Sequence, residues 1–231
     1  MENLVAVIPA AGRGVRFGHS IPKQFVEVGG KPILAWTVRA LYRCGAIARW
    51  IICLPEEGFE NYGELMARHL GAILDRCCFV PGGKERYETV WKGLQRLDES
   101  CRWVLIHDGA RPFVSSELTR RVVQKAMETG AAVAALPATD TVKNVRGDRV
   151  CTTLDRSTVY LVQTPQVFRR DLILEAYKSV LSKDTDGPLG TDDAWFVERI
   201  GHPVYVVEGE RQNIKITTVE DLEWFRWKMG L

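Results

Sequence analysis

Six short runs of apolar, largely β-branched or aromatic residues punctuate the chain: Leu4–Ile8, Trp50–Leu54, Cys77–Val80, Trp103–Ile106, Ala131–Leu136 and Val204–Val207. Each is apolar throughout instead of alternating, which fits strands buried on both faces of a parallel sheet. Between the runs the pattern turns helical. Leu34, Val38, Leu41 and Tyr42 share one stripe; Tyr87, Val90, Trp91, Leu94 and Leu97 share a second; Leu118, Val122, Val123 and Ala126 share a third. Such stripes are the core faces of amphipathic helices. Strand–helix alternation predicts right-handed βαβ units in an α/β fold with a doubly wound, mostly parallel sheet. Ligands of such sheets sit beyond the carboxyl ends of the strands.

One stretch breaks the alternation. Within residues 137–160, two extended arms, Thr141–Val145 and Arg149–Leu154, flank Arg146-Gly147-Asp148. A short connection containing Gly between two such arms is a hairpin signal. An isolated two-stranded hairpin is only marginally stable in water, so a projecting one needs a surface to lie against. The expectation is a homodimer in which this arm embraces the neighbour, with residues 1–231 forming one domain and 137–160 its arm.

Composition narrows the function. At 231 residues, the chain is long enough for a sizeable core, and its formal charge of +2 gives no general attraction to nucleic acid or membrane. No apolar run approaches the roughly 18 residues that cross a bilayer, and no basic leader precedes Leu4, so a soluble, cytoplasmic protein is expected. Cys44, Cys53, Cys77, Cys78, Cys101 and Cys151 lack the spacing of a zinc site, and most sit in apolar segments as reduced, buried thiols would.

Candidate chemistry gathers after the first run, at Pro9-Ala10-Ala11-Gly12-Arg13-Gly14-Val15-Arg16-Phe17-Gly18. A glycine-rich turn at a strand's carboxyl end lets backbone N–H groups approach an anion. It lacks the G-K-[ST] of a P-loop. It also misses the dinucleotide fingerprint, because Phe17 stands where the third glycine belongs, and no acidic residue follows at the ribose-binding distance. From Asn3 to Val26 there is no acidic residue, whereas Arg13, Arg16 and Lys23 all fall there. Taken alone, these cations fit either a solvated surface loop or a cradle for a triphosphate.

A longer series of blocks carries a resemblance. Pro9-Ala10-Ala11-Gly12-x-Gly14-x-Arg16 and Pro22-Lys23-Gln24 are followed in order by Gly82-Gly83-x-x-Arg86, His107-Asp108-Gly109-Ala110-Arg111-Pro112 and Asp140-Thr141-Val142-Lys143. Gln163-Thr164-Pro165-Gln166, Thr191-Asp192-Asp193-Ala194 and Asn213-Ile214-Lys215 complete the series. Together they resemble the 2-C-methyl-D-erythritol 4-phosphate cytidylyltransferases over nearly the whole chain. The resemblance implies transfer of the cytidylyl group of CTP to methylerythritol 4-phosphate, with pyrophosphate released and a divalent metal, Mg²⁺, held mainly by the CTP phosphates.

It further implies roles for individual residues. Arg16 and Lys23 would stabilise the transition state and the leaving pyrophosphate. Backbone groups of Pro9, Ala10, Ala11 and Gly12 and of Gly82 and Gly83, with Thr89, would hold CTP. Asp108 would meet ribose or acceptor hydroxyls and is the one side chain able to approach the metal, which has no direct protein ligand otherwise. Arg111, Thr164 and Lys215 would shape the acceptor pocket. Thr141 and Arg156 would reach the acceptor in the partner subunit's site, Arg156 taking its phosphate through the guanidinium fork. Catalysis is assigned to Arg16, Lys23, Arg156 and Lys215.

The chain departs from the pattern at Lys84, where an acidic residue is common, at Thr89, often Ser, and at Gly109, often Ala. Two alternatives compete. A ribitol 5-phosphate cytidylyltransferase often carries Ala-Gly-Gly where this chain has Ala10-Ala11-Gly12, and a non-catalytic nucleotide sensor would lose the charges at Arg16, Lys23 and Lys215. A sugar-1-phosphate nucleotidyltransferase is disfavoured by the Thr164 block and the arm.

Overall fold

All six apolar runs become strands of one seven-stranded sheet. The computed structural model describes residues 3–12, 21–182 and 190–231. Its strands are β1 (Leu4–Pro9), β2 (Glu27–Val28), β3 (Lys31–Pro32), β4 (Ile47–Leu54), β5 (Cys77–Pro81), β6 (Trp103–Ile106), β7 (Ala131–Pro137), β8 (Lys143–Arg146), β9 (Arg149–Thr153), β10 (Tyr160–Arg169) and β11 (Tyr205–Glu208). The helices are α1 (Ile33–Tyr42), α2 (Phe59–Leu70), α3 (Arg86–Leu94), α4 (Ser116–Thr129), α5 (Arg170–Leu181), α6 (Ala194–Arg199) and α7 (Val219–Lys228). The main sheet has the order β11-β7-β10-β6-β1-β4-β5, and every pairing in it is parallel except those of β10.

In the central strands, continuous apolarity has its cause in the layers on both sides; at the sheet's edges the expectation fails, since Cys78 of β5 and Tyr205 and Val206 of β11 are exposed. Leu4, Ala6 and Ile8 of β1 point into a core shared with α1, α2 and α4, whereas Val5 and Val7 point into a second core shared with α3, α5 and α6. Each fully buried aliphatic side chain contributes about 1.5–3 kcal/mol. The three predicted stripes lie on α1, α3 and α4, although α3 ends at Leu94 and leaves Leu97 beyond it. Helix α4 is bounded as its sequence asks: Ser115 Oγ accepts from Leu118 N–H at 2.9 Å, and Gly130 follows with φ of 92°.

Strand β10 carries no apolar run of its own, because Gln163, Thr164, Pro165 and Gln166 interrupt it. It runs antiparallel between β6 and β7, with Gln166 opposite both Ile106 and Val133. Its polar residues are nonetheless buried, and the site explains why. The arm is a separate two-stranded sheet of β8 and β9. Its turn is tighter than the three residues expected: Arg146 pairs with Arg149, leaving Gly147-Asp148, and Gly147 takes φ of 61°. All nine arm-strand residues are exposed, among them Val145 and Val150 at 48% and 55%.

The six cysteines are free, but only Cys44, Cys53 and Cys101 are buried; Cys77 is half-buried, and Cys78 and Cys151 are exposed. Burial pushes the Cys53 thiol up to about 12 and Cys101 to about 11, so both stay protonated at neutral pH. Among the described residues, no helix is long and apolar enough to cross a membrane.

Candidate active site

Two turns approach each other beyond the carboxyl ends of β1 and β5. Ala10 N–H donates to Cys53 O at 2.8 Å, and Gly82 N–H donates to Leu54 O at 2.8 Å, so both turns hang from the end of β4 between them. A Cβ on Gly82 would come within 2.2 Å of the Ala11 Cβ, so glycine is required by the closeness of the turns. Gln24 braces the first turn from behind, its Nε2 donating to Ala10 O at 2.6 Å and Gly12 O at 2.9 Å. The second turn is pinned by Lys92 Nζ on Gly82 O at 2.7 Å and by Gly83 N–H on Thr89 Oγ1 at 3.0 Å. Glu88 accepts from Lys84 N–H at 2.8 Å and completes a capping box with Glu85 at the start of α3.

Between these turns and the end of β6 lies a cavity of about 340 Å³. Pro9, Ala10, Ala11, Gly12, Gly83 and Thr89 line it together with Lys23, Asp108 and Lys215. Lys23 sits in a short 3₁₀ turn, Lys23–Phe25, anchored by Phe25 stacking on Tyr62 with centroids 4.0 Å apart.

Asp108 is the electrostatic centre. Its Oδ1 receives Arg86 Nε at 3.3 Å, while its Oδ2 receives Arg111 Nε at 3.2 Å and Lys215 Nζ at 3.1 Å. Burial alone would raise its carboxyl, but the charges of Lys215, Arg86 and Arg111 together hold it well below the usual carboxylate range. Its backbone N–H donates to Thr164 Oγ1 at 3.1 Å, which fastens β6 to β10. Arg111 is steered by a second bond, Nη1 to Asn213 O at 2.8 Å, and Asn213 Nδ2 donates to Thr164 O at 2.8 Å. This mesh is why Gln163 and Thr164 interrupt an otherwise apolar strand, while Gln166 is held separately by Asp192, Asp193 and Ala194. Lys215 lies in an extended segment outside any ladder, held by Ile216 N–H on Ala110 O at 2.8 Å.

The residues singled out from the sequence therefore divide. Pro9 to Gly12, Gly83, Thr89, Lys23, Asp108 and Lys215 converge on one cavity, and Gly82, Arg111 and Thr164 support its walls. Arg16 and Gly14 lie outside the described residues. Thr141 and Arg156 are exposed on and beside the arm and are not among the described residues lining this cavity; Arg156 Nη1 instead donates to Thr139 O at 3.0 Å. Lys84, also on the cavity wall, leaves its side chain exposed. The N-cap of α6 is Asp193, and Asp192 Oδ1 accepts from Trp195 N–H at 3.2 Å. Arg86, Gln24 and Asp193 receive no role from the sequence alone, although each stands inside one of the blocks that carry the resemblance. A buried charge requires a partner, but only the folded chain identifies which one.

His107 precedes Asp108 and has no solvent access. Burial pushes its imidazole down to about 4, so it is neutral at pH 7, with Nε2 3.2 Å from Arg111 O. Its folded value lies below the ordinary value of 6.5, so the unfolded chain binds the proton first, and stability present above 6.5 is lost as pH falls toward 4. Acidification from pH 7 to pH 5 is expected to lower stability by about 2 kcal/mol through this group alone. Urea unfolding at both pH values checks it: in His107→Gln the drop should shrink by that amount, and an unchanged drop would refute the assignment.

The sequence and fold have counterparts among known proteins. A profile of the 2-C-methyl-D-erythritol 4-phosphate cytidylyltransferase family matches residues 4–228. A protein of that name from Geobacillus kaustophilus is 42% identical over 220 residues, 95% of this chain and 94% of the relative. The crystal structure of 4-diphosphocytidyl-2C-methyl-D-erythritol synthase from Anaerococcus prevotii superposes with a TM-score of 0.84 at 31% identity, covering 100% of this chain and 99% of that one. The 2-C-methyl-D-erythritol 4-phosphate cytidylyltransferase from Thermus thermophilus superposes with a TM-score of 0.80 at 35% identity and 100% coverage of both chains.

Proposed function

The chain belongs to the 2-C-methyl-D-erythritol 4-phosphate cytidylyltransferase family, and from that premise we propose how its residues move the cytidylyl group of CTP onto methylerythritol 4-phosphate. Its fold is the nucleotidyltransferase-type α/β fold of that family, and its activity is that of a cytidylyltransferase serving isoprenoid precursor synthesis. The observation that carries the residue assignment is the convergence of two close-packed backbone turns, Lys23, Asp108 and Lys215 on one cavity.

A phosphate oxygen of the acceptor attacks the α-phosphorus of CTP, and the bond to the leaving pyrophosphate breaks as the new P–O bond forms. The nucleophile is already an anion, so no protein base is needed. Positioning and charge stabilisation carry the reaction. The turns at Ala10–Gly12 and Gly82-Gly83 present backbone groups to the nucleotide. Lys23 and, from outside the described residues, Arg16 neutralise charge growing on the leaving phosphates. Lys215 is close enough to Asp108 to be held ready, and it orients the acceptor phosphate; Arg111, Thr164 and Asp108 receive acceptor or ribose hydroxyls.

The donor set fits a weakly protein-bound divalent cation: among the described residues no three acidic, histidine or cysteine side chains cluster, and both Asp108 oxygens already carry cations. Mg²⁺ held mainly by the CTP phosphates would supply further neutralisation of phosphate charge, and Asp108, already engaged by Arg86, Arg111 and Lys215, would at most approach it. The protein works in the cytoplasm as a homodimer of single-domain subunits. The arm, 137–160, lies on the neighbour and lends Thr141 and Arg156 to its acceptor site. The exposed Val145, Val150 and Leu154 support that contact. Neither nucleic acid nor membrane is a partner.

Incubation with CTP, methylerythritol 4-phosphate and Mg²⁺ should release pyrophosphate and give a product with the mass of the cytidine diphosphate derivative. Chelation with excess EDTA should return the rate to background. Folded protein that forms no such product would refute the reading.

A further inference from the structure

Asp193 is a carboxylate without solvent access, and nothing in the transfer of the cytidylyl group gives it a task. Its Oδ1 accepts the Tyr177 hydroxyl at 2.7 Å, and its Oδ2 accepts Arg86 Nη2 at 2.7 Å. Gln166 Oε1 holds its backbone N–H at 3.1 Å. Arg86 also donates to the active site, through Nε to Asp108 Oδ1 at 3.3 Å. A single guanidinium thus bridges the fully buried Asp193 to the carboxylate on the cavity wall.

Stability is a weak explanation for such a bridge, since apolar residues of the same volume often serve a core as well or better. Orientation is a stronger one. Arg111 and Lys215 both engage Asp108 Oδ2, whereas Arg86 is the cation on Oδ1. Without Arg86, nothing among these three opposes rotation of the carboxylate toward Arg111 and Lys215. The brace behind Arg86 is itself rigid. The Tyr177 ring is stacked on Phe196 with centroids 3.9 Å apart at 10°, and on Trp91 at 5.9 Å and 6°. Burial, reinforced by the Asp193 charge, holds the phenol well above its ordinary value, so it remains a donor at any working pH.

We propose that Arg86, braced by Asp193 and Tyr177, is a positioning residue that fixes the Asp108 carboxylate toward the substrates. Asp108 touches substrate and Arg86 acts through it. This rests on the proposed role of Asp108 in receiving acceptor or ribose hydroxyls.

A double-mutant cycle tests it. Arg86→Gln, Asp108→Asn and the double variant are compared for methylerythritol 4-phosphate affinity by calorimetry, with Mg²⁺ and a CTP analogue that cannot be cleaved between α- and β-phosphorus. Inactive variants therefore still report. Arg86→Gln is expected to weaken binding by about 10-fold in the wild-type background and by less than about 2-fold beside Asp108→Asn, as coupled neighbours behave. Arg86→Lys, which keeps the charge but loses the fork, should recover part of the loss. Tyr177→Phe, which removes one hydroxyl from the brace and keeps the ring, serves if Arg86→Gln does not fold. It should cost about 2–5-fold, and only while Asp108 is intact. Equal losses in both backgrounds would overturn the inference while leaving wild-type turnover untouched. An inactive wild type would instead overturn the functional reading, and this inference with it.

Discussion

Replacing Lys23 by alanine is expected to lower kcat by about 10²–10³-fold without unfolding the protein, the usual scale for losing one fixed charge at a developing anion. The turn that carries Lys23 does not depend on its ammonium group. Gln24 ties the turn to Ala10 and Gly12, Phe25 stacks on Tyr62, and Val26 N–H closes on Lys23 O at 3.1 Å. Fold and chemistry are thus separable here. CTP affinity should fall much less than kcat, because the charge matters most when the α–β bond is breaking. Steady-state kinetics beside a thermal melt checks this, and near-wild-type kcat in a folded variant would remove Lys23 from the mechanism. Arg16→Ala should behave alike.

The second large effect is a recovery of activity. If Arg156 serves the neighbouring subunit, Arg156→Ala and Lys23→Ala each empty every site of a homodimer, but they do so from different chains. In a mixed dimer, one site receives intact Lys23 from its own chain and intact Arg156 from the other; the second site lacks both. Equal mixing with full subunit exchange makes half the dimers mixed, so activity should return to about a quarter of wild type by the symmetry of a two-fold assembly. The geometry motivates the experiment, since Arg156 is exposed and lies outside the cavity of its own chain. No recovery despite demonstrated exchange, or sedimentation as a monomer at micromolar concentration, would refute the shared site.

Much of this architecture is legible in the chain because burial leaves a simple trace. A strand covered on both faces must be apolar at every position, and the central strands β1, β4, β6 and β7 announce themselves that way; β5 and β11, apolar but partly exposed, are the edges of the sheet. Strand β10 does not, since Gln163 and Thr164 face the polar mesh around Asp108 and Asn213, and Gln166 bonds Asp192, Asp193 and Ala194 at the start of α6. Function is written there in the residues that hide the strand. That Lys23 borders the cavity beside the Pro9–Gly12 turn is legible from charge next to glycine, and Asp108 and Arg111 from their place beyond a strand's end, while residues 13–20 lie outside the described part. The link from Asp193 through Arg86 was not readable, because it joins α6 to α3, far apart in sequence, and such pairing is decided only when both helices pack on one face of the sheet. The arm's turn is one residue shorter than its sequence suggests for a smaller reason: glycine permits several turns, and the pairing of Arg146 with Arg149 selects the tighter one.

The most direct measurement is pyrophosphate release from CTP and Mg²⁺ with methylerythritol 4-phosphate and ribitol 5-phosphate offered separately to the folded protein. Release with the first, and little or none with the second, is expected. Preference for ribitol 5-phosphate, or silence with both, would contradict the assigned activity.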